Sequence, residues 1–171
     1  MNPRSYQKEL DRLIKGIDPN APAPRLLLHS CCGPCSSYVL EYLAPYFNII
    51  VFYDNPNIQP VEEYTHRLNE QRRVIAHIQA PHGISLIEGD YDPVRYAQAV
   101  KGLTHLGEGS ERCFACYRFR MEAAAELAKE RGCEAFAKRF QKARRLSALH
   151  CAVQRMGHLS PALLRLHLFP A

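Results

Sequence analysis

The 171-residue sequence predicts an α/β fold, in which helices flank a parallel β-sheet. Two observations support this fold class. Short apolar runs alternate along the chain with longer segments whose apolar residues recur at helical spacing, which is the order typical of a parallel sheet. The composition, with 47% hydrophobic and 23% charged residues, is that of a globular protein and excludes a disordered or fibrous chain.

The first part of the chain supplies two strands. A short amphipathic helix is predicted over 3–16, and three prolines mark residues 18–24 as a linker. The apolar run 25–29 (RLLLH) is typical of a buried parallel strand. A helix over 37–46 connects it to a second strand over 48–54, which is rich in β-branched and aromatic residues.

The next part continues the alternation. Residues 61–79 form the longest helical pattern, and a third strand follows over 83–89. A helix is predicted over 92–103, because it begins with an aspartate cap and a proline. An Ala-rich helix over 112–131 ends before a glycine, and residues 134–137 begin a fourth strand.

The positive charge of the chain is concentrated at its C-terminus. Residues 1–137 hold 15 of the 22 basic residues and all 17 acidic residues, whereas residues 138–171 hold seven basic residues and no acidic one. A basic segment of this kind can bind nucleic acid. The abrupt change in composition equally suggests a shifted reading frame or a truncated gene.

No apolar run reaches the about 18 residues that a membrane-spanning helix needs. The charged N-terminus also lacks the apolar stretch of a secretory signal. We therefore expect a cytoplasmic protein without a membrane partner. In that compartment thiols stay reduced, and clustered cysteines are more often metal ligands or redox groups than disulfides.

Five of the seven cysteines form two groups, each predicted to lie at the start of a helix. Cys31, Cys32 and Cys35 follow the first strand, and Cys113 and Cys116 begin the Ala-rich helix. Helix N-termini stabilise thiolates, and ligands of parallel sheets bind beyond the carboxyl ends of strands. The two groups are therefore expected to converge. The isolated Cys133 and Cys151 are expected to be packing residues.

Three kinds of site fit this pattern. The CGPC string from Cys32 to Cys35 would suit a thioredoxin-like dithiol. Cys32, Cys35, Cys113 and Cys116 would suit a structural zinc ion, although Cys31 would then have no role. Cys31 and Cys32 together with Cys113 and Cys116 would suit an iron–sulfur cluster, because a cubane offers separate irons to neighbouring cysteines.

Several motifs together resemble one family. SCCGPCSS, VFYDNPNIQPVEEYTHR, DYDP and RCFACYRFRMEAAAELAKERG occur in this order, over about residues 25–137, and are similar to the epoxyqueuosine reductases of the QueH type. The resemblance implies an adenine-nucleotide α-hydrolase-like (HUP-type) fold and a cytoplasmic iron–sulfur enzyme. It implies reduction of epoxyqueuosine at the wobble position of tRNA, with electrons from a donor that we do not identify.

The resemblance also implies roles for individual residues. Cys31, Cys32, Cys113 and Cys116 would bind a [4Fe–4S] cluster, with Cys35 as a further ligand or a packing residue. The candidate proton donors are Tyr53, Asp54 and Asp90. The candidate substrate contacts lie in the loop after the second strand and on two helices: Asn55, Asn57, Arg67, Arg112 and Arg120. A structural turn would explain the Asn-Pro string equally well, and surface charge would explain Arg67 and Arg120.

Beyond Ala137 the sequence departs from the family pattern, which continues with further elements and a redox-active Cys-x-Cys pair. We therefore expect an N-terminal helix and linker over 1–24, a reductase domain over 25–137 and an atypical basic tail over 138–171, with the family's C-terminal elements lacking. Three other classes stay open, and one of them is a non-functional remnant. An RNA-binding module stabilised by zinc on four cysteines would lack catalysis. An ATP-pyrophosphatase is disfavoured, since Gly33 is the only glycine in the loop after the first strand.

Overall fold

The computed structural model of the protein describes residues 6–138 and 154–155. The predictions for the basic tail lie almost entirely outside these residues. The elements alternate as expected and are, in chain order, α1 (Tyr6–Lys15), β1 (Arg25–His29), α2 (Gly33–Leu43), β2 (Asn48–Tyr53), α3 (Val61–His77), β3 (Ile84–Glu88), α4 (Pro93–Ala99), α5 (Glu111–Glu130), β4 (Ala135–Lys138) and β5 (Gln154–Arg155). The predicted α/β class is confirmed.

The sheet has the strand order β3-β2-β1-β4-β5. Neighbouring strands from β3 to β4 are parallel, with Leu27 of β1 opposite Ile50 of β2 and Phe136 of β4. The two-residue β5 pairs antiparallel with β4 and was not predicted. Strand order reverses at β1, because β2 and β3 lie on one side of it and β4 on the other. In open α/β sheets, ligands bind outside the carboxyl ends of the strands at such a switch point.

Both faces of the sheet are covered by helices. On one face Leu26 and Leu28 pack in a core with residues of α1 and α2, and α3 packs on its edge. On the other face Leu27 packs in a second core with Met121 and Ala124 of α5. Burial on both faces explains why the strands appear as continuous apolar runs rather than as alternating patterns.

The N-terminal helix α1 belongs to the core that contains Leu26 and Leu28. Leu10 is buried in the first cluster, and Ile14 packs against it. The hydroxyl of Tyr42 in α2 donates a hydrogen bond of 2.9 Å to Asp11 Oδ1. The part of 1–24 that the structure describes is therefore packed on the sheet domain.

Two helix boundaries differ from the prediction by four residues, more than the other helix boundaries do. α2 begins at Gly33 rather than at residue 37, with Cys32 as its extended N-cap residue and Pro34 in its first turn. Proline is favoured there because the first N–H groups of a helix have no intrahelical partner. α4 ends at Ala99, before the predicted residue 103. In the part of the chain that the structure describes, no helix is long and apolar enough to cross a membrane.

Candidate functional site

The first cysteine group lies between the end of β1 and the first turn of α2, directly at the switch point. Cys31, Cys32 and Cys35 are all half-buried. The thiol of Cys32 shares hydrogen bonds with the thiols of Cys31 and Cys35. The hydrogen bond with Cys31, followed by burial, raises the pKa of Cys32 above its ordinary value. A backbone hydrogen bond of Cys35 acts in the opposite direction and lowers it.

The second group occupies the first two turns of α5. The backbone N–H of Gly109 donates a hydrogen bond of 3.3 Å to Cys113 Sγ. Cys116 is hydrogen-bonded to the hydroxyl of Tyr96 on α4, and burial together with Cys116 raises the pKa of Tyr96 to about 12. The sequence analysis missed Tyr96. Tyr96 lies three residues after the DYDP motif, and no sequence pattern connects α4 with the start of α5.

Tyr117 connects the two groups electrostatically. Burial raises the pKa of Tyr117, Arg120 lowers it, and the thiols of Cys113, Cys116 and Cys31 raise it further. Tyr117 therefore lies within reach of thiols from both groups, so the start of α5 and the β1–α2 loop share one edge of the sheet. Among residues 6–138 and 154–155, however, no three or more His, Cys, Asp or Glu side chains are arranged so that they could hold one metal ion.

A series of buried hydrogen bonds joins α5 to the β1–α2 loop. Arg120 Nη1 donates a hydrogen bond of 3.2 Å to Asn55 Oδ1, and Asn55 Nδ2 donates one of 2.8 Å to the carbonyl of Ser30. Asn55 is 0% exposed and Arg120 is 7% exposed. The known contacts of these two predicted substrate residues are thus with the protein itself, and substrate contact stays a prediction for both.

The other side of the loop is held by α3. Gln71 is fully buried, and its Oε1 accepts hydrogen bonds from Ser30 Oγ at 2.6 Å and from Ser36 Oγ at 2.9 Å. Gly33 allows close approach of α2 to α3, because a Cβ at this position would lie 2.7 Å from the carbonyl oxygen of Glu70. The cysteine loop is therefore anchored from α3 as well as from α5.

The three candidate proton donors lie in different environments. Asp54 is 7% exposed. Burial raises its pKa to about 6, while Arg120 and Arg95 lower it and Asp90 raises it. Tyr53 is fully buried and its hydroxyl donates a hydrogen bond of 3.3 Å to the carbonyl of Tyr64. Asp90 is exposed. Of the three, Asp54 is the residue whose pKa lies near neutral pH, and it interacts with Arg120 of α5.

The remaining predicted substrate residues lie around the same edge. Arg67 on α3 donates a hydrogen bond of 2.7 Å from Nε to Glu63, and this bond raises the pKa of Arg67. Asn57 lies in a turn closed by the Ile58 N–H and the Asn55 carbonyl at 3.0 Å. Its Oδ1 is buried and accepts no hydrogen bond from any residue that the structure describes.

Arg112 is half-buried in the first turn of α5, where its charge lowers the pKa of Tyr96. It therefore lies close to the second cysteine group. Of the two remaining cysteines, Cys133 is buried in the core beneath α5, as expected for a packing residue. Cys151 lies outside the described residues.

Comparison with known proteins supports the family resemblance that the motifs indicate. The family model "Epoxyqueuosine reductase QueH" matches residues 26–158. The match continues beyond Ala137, where we expected the resemblance to end. The division of the chain at that residue stays a prediction.

Similar proteins named epoxyqueuosine reductase QueH come from several bacteria. That of Staphylococcus epidermidis is 38% identical over 136 residues, which are 77% of this chain and 57% of the relative. That of Acinetobacter baylyi is 41% identical over 116 residues, or 67% of this chain and 51% of the relative. The Thermotoga maritima protein is 34% identical over 117 residues, or 65% and 56%. The chain thus spans little more than half the length of these relatives.

Proposed function

The chain belongs to the epoxyqueuosine reductase QueH family, and from this we propose that it reduces epoxyqueuosine to queuosine at the wobble position of tRNA. The observation that carries the proposal is the gathering of two cysteine groups at the switch point of the sheet. We place the reductase domain at residues 25–137 and its action in the cytoplasm, where tRNA is modified.

We assign Cys31, Cys32, Cys113 and Cys116 as the ligands of a [4Fe–4S] cluster. Two features of the chain support the assignment. Thiolates are the ligands that such clusters take. The four thiols are half-buried and so partly open to solvent, and Tyr117 interacts with thiols of both groups. When bound, the cluster supplies electrons one at a time. Cys35 shares a hydrogen bond with Cys32 and lies close enough to serve as a further ligand.

The reaction needs two electrons and two protons for each epoxide. The epoxide oxygen leaves as water and its two carbons become joined by a double bond. An external reductant of unidentified nature supplies the electrons. The protein has to position the epoxide, exclude competing water and deliver protons to the oxygen.

We propose that Asp54 delivers the first proton. A carboxyl group with a pKa near 6 is protonated in a useful fraction of molecules at neutral pH. It is also a stronger acid than the hydroxyl of Tyr53, whose pKa is raised. After the transfer, the charges of Arg120 and Arg95 stabilise the carboxylate. Tyr53 is a weaker candidate, because burial raises its pKa and its hydroxyl already donates to a carbonyl.

We further propose that Asn57, Arg67 and Arg112 contact the tRNA substrate. Arginines on the rim of the site suit the phosphate backbone, since phosphate and sugar together receive about half to two-thirds of protein–DNA hydrogen bonds. Asn57 offers a buried acceptor to a donor on the modified base. Asn55 and Arg120 are deeper, and any contact of theirs with substrate would have to compete with their mutual hydrogen bond.

The proposal is tested by incubating anaerobically reconstituted protein with tRNA that carries epoxyqueuosine and a chemical reductant such as dithionite. Nucleosides are then quantified by mass spectrometry. We expect queuosine to form with the unmodified chain and with Cys133→Ser, whose thiol is a core residue, but not with Cys31→Ser. Protein that binds one zinc ion, and tRNA, yet forms no queuosine would instead support the non-catalytic zinc module.

A further inference from the structure

Asn55 and Arg120 are polar residues in a place where polar groups are costly. A buried guanidinium or amide destabilises a protein unless hydrogen bonds replace its lost water. Here both ends of the Asn55 amide are used, one on Ser30 and one on Arg120. The Arg120 guanidinium also contacts the Cys116 carbonyl at 3.4 Å and lies over the Tyr117 ring at 5.3 Å.

The ends of this chain of contacts fall next to cysteines. At one end, Asn55 holds the carbonyl of Ser30, which forms the peptide bond to Cys31. At the other end, Arg120 holds the carbonyl of Cys116 one helical turn before it. Asn55 itself lies two residues after the end of β2. Asn55 and Arg120 therefore form a bracket of hydrogen bonds between the loop and α5.

We propose that Asn55 and Arg120 are positioning residues that hold Cys113 and Cys116 of α5 against Cys31 and Cys32 of the β1–α2 loop. The inference rests on the proposed function, because a shared cluster is the reason for holding the two cysteine groups together. Partners of metal ligands act in this way in other sites, and their loss typically lowers metal affinity about 10- to 100-fold.

The remaining contacts of α5 support this assignment. Its buried residues Met121, Ala124 and Ala128 pack beneath the sheet and fix the middle and end of the helix. These apolar contacts lie on the C-terminal side of the cysteines and are not directional. The hydrogen bonds of Arg120 are directional, and they act within one turn of Cys116.

The experiment compares Asn55→Ala and Arg120→Met with Met121→Ala, which removes a buried neighbour of Arg120 without touching the bracket. Metal-free protein is treated with dibromobimane, a reagent that joins two nearby thiols, and the joined peptides are identified by mass spectrometry. We expect Asn55→Ala and Arg120→Met to lower the yield of links between the loop and α5 relative to links within the loop. In Met121→Ala the ratio should stay as in the unmodified chain.

The same proteins are then loaded with iron and sulfide under anaerobic conditions. We expect both bracket variants to lose iron to a chelator about 10-fold faster than Met121→Ala. Arg120→Lys keeps the charge near Asp54 but not the two-point contact, and it should follow Arg120→Met in cross-linking. Unchanged cross-link ratios in folded Asn55→Ala and Arg120→Lys would overturn the proposal.

The outcome separates this inference from the proposed function. If the unmodified chain forms the cross-links and the bracket variants lose them, but no iron is held, the cluster assignment fails while the positioning role stands. If it holds iron and reduces epoxyqueuosine, but neither variant changes cross-linking or iron loss, the positioning role fails alone.

Discussion

Gly33 provides a sharp test of how the cysteine loop is held. It is the first residue of α2, and its backbone conformation is one that alanine can adopt. A Cβ here would lie 2.7 Å from the Glu70 carbonyl oxygen and 3.0 Å from Val74 Cγ2. Ordinary contact begins at 3.4 Å, so in Gly33→Ala the start of α2 must move away from the backbone of α3 by several tenths of an ångström.

We expect Gly33→Ala to lower the free energy of unfolding by about 1–3 kcal/mol, as overpacked cores do. The same movement displaces Cys32, which precedes Gly33, and Cys35, which follows it. Metal binding should therefore weaken as well. The assays are urea unfolding of the metal-free protein and iron per chain after anaerobic reconstitution.

Gly107→Ala is the matched control. A Cβ at Gly107 meets nothing within 4 Å, and its backbone is not in the left-handed region. It should match the unmodified protein in both assays. Gly33→Ala protein with an unchanged urea midpoint and unchanged iron content would refute the close packing of α2 on α3.

Three further predictions concern the same edge of the sheet. The pKa of Asp54 is about 6 in the folded chain, against an ordinary 3.8. The folded state therefore binds this proton more tightly than the unfolded state does. As a result, the free energy of unfolding falls as pH rises from about 4 to about 6. In Asp54→Asn this fall should be smaller when urea unfolding is followed across that range, and an unchanged slope would contradict the assignment. Gly89→Ala would place a Cβ 2.7 Å from Asp54 Cβ; it should slow queuosine formation by displacing the carboxyl group, and unchanged turnover would argue against Asp54 as the donor. Gln71→Leu leaves the hydroxyls of Ser30 and Ser36 only the backbone carbonyls of Cys32, at 3.4 Å, and Gly33, at 3.0 Å, as acceptors. It should cost about 1 kcal/mol in urea unfolding, whereas an unchanged midpoint would show that the hydrogen bonds to Gln71 contribute nothing.

Local sequence patterns were sufficient for the four parallel strands of the sheet. The runs at 25–29 and 48–54 are apolar because both faces of β1 and β2 are covered, and such runs are recognisable without tertiary information. The start of α2 was predicted too late, because Cys32 lacks the side-chain oxygen of a usual N-cap. β5 was missed because a two-residue strand has no periodicity.

The cysteines of the candidate site could also be singled out from the sequence, because five of them fall in two groups, each at the start of a predicted helix. Their supports could not. Gln71 and Arg120 lie on helices with many polar residues, and nothing local distinguishes a buried glutamine or arginine from an exposed one. Tyr96 meets Cys116 only through the packing of α4 on α5. Such pairings depend on tertiary structure, which single-sequence patterns do not contain.

The central claim is that Cys31, Cys32, Cys113 and Cys116 form one iron–sulfur centre. The most direct measurement is iron, sulfide and zinc analysis of anaerobically purified protein, together with its visible spectrum. We predict about four irons and four sulfides per chain and a broad brown absorbance. The colour should disappear in Cys31→Ser and persist in Cys133→Ser. One zinc ion per chain with no colour, or iron retained in Cys31→Ser, would contradict the account.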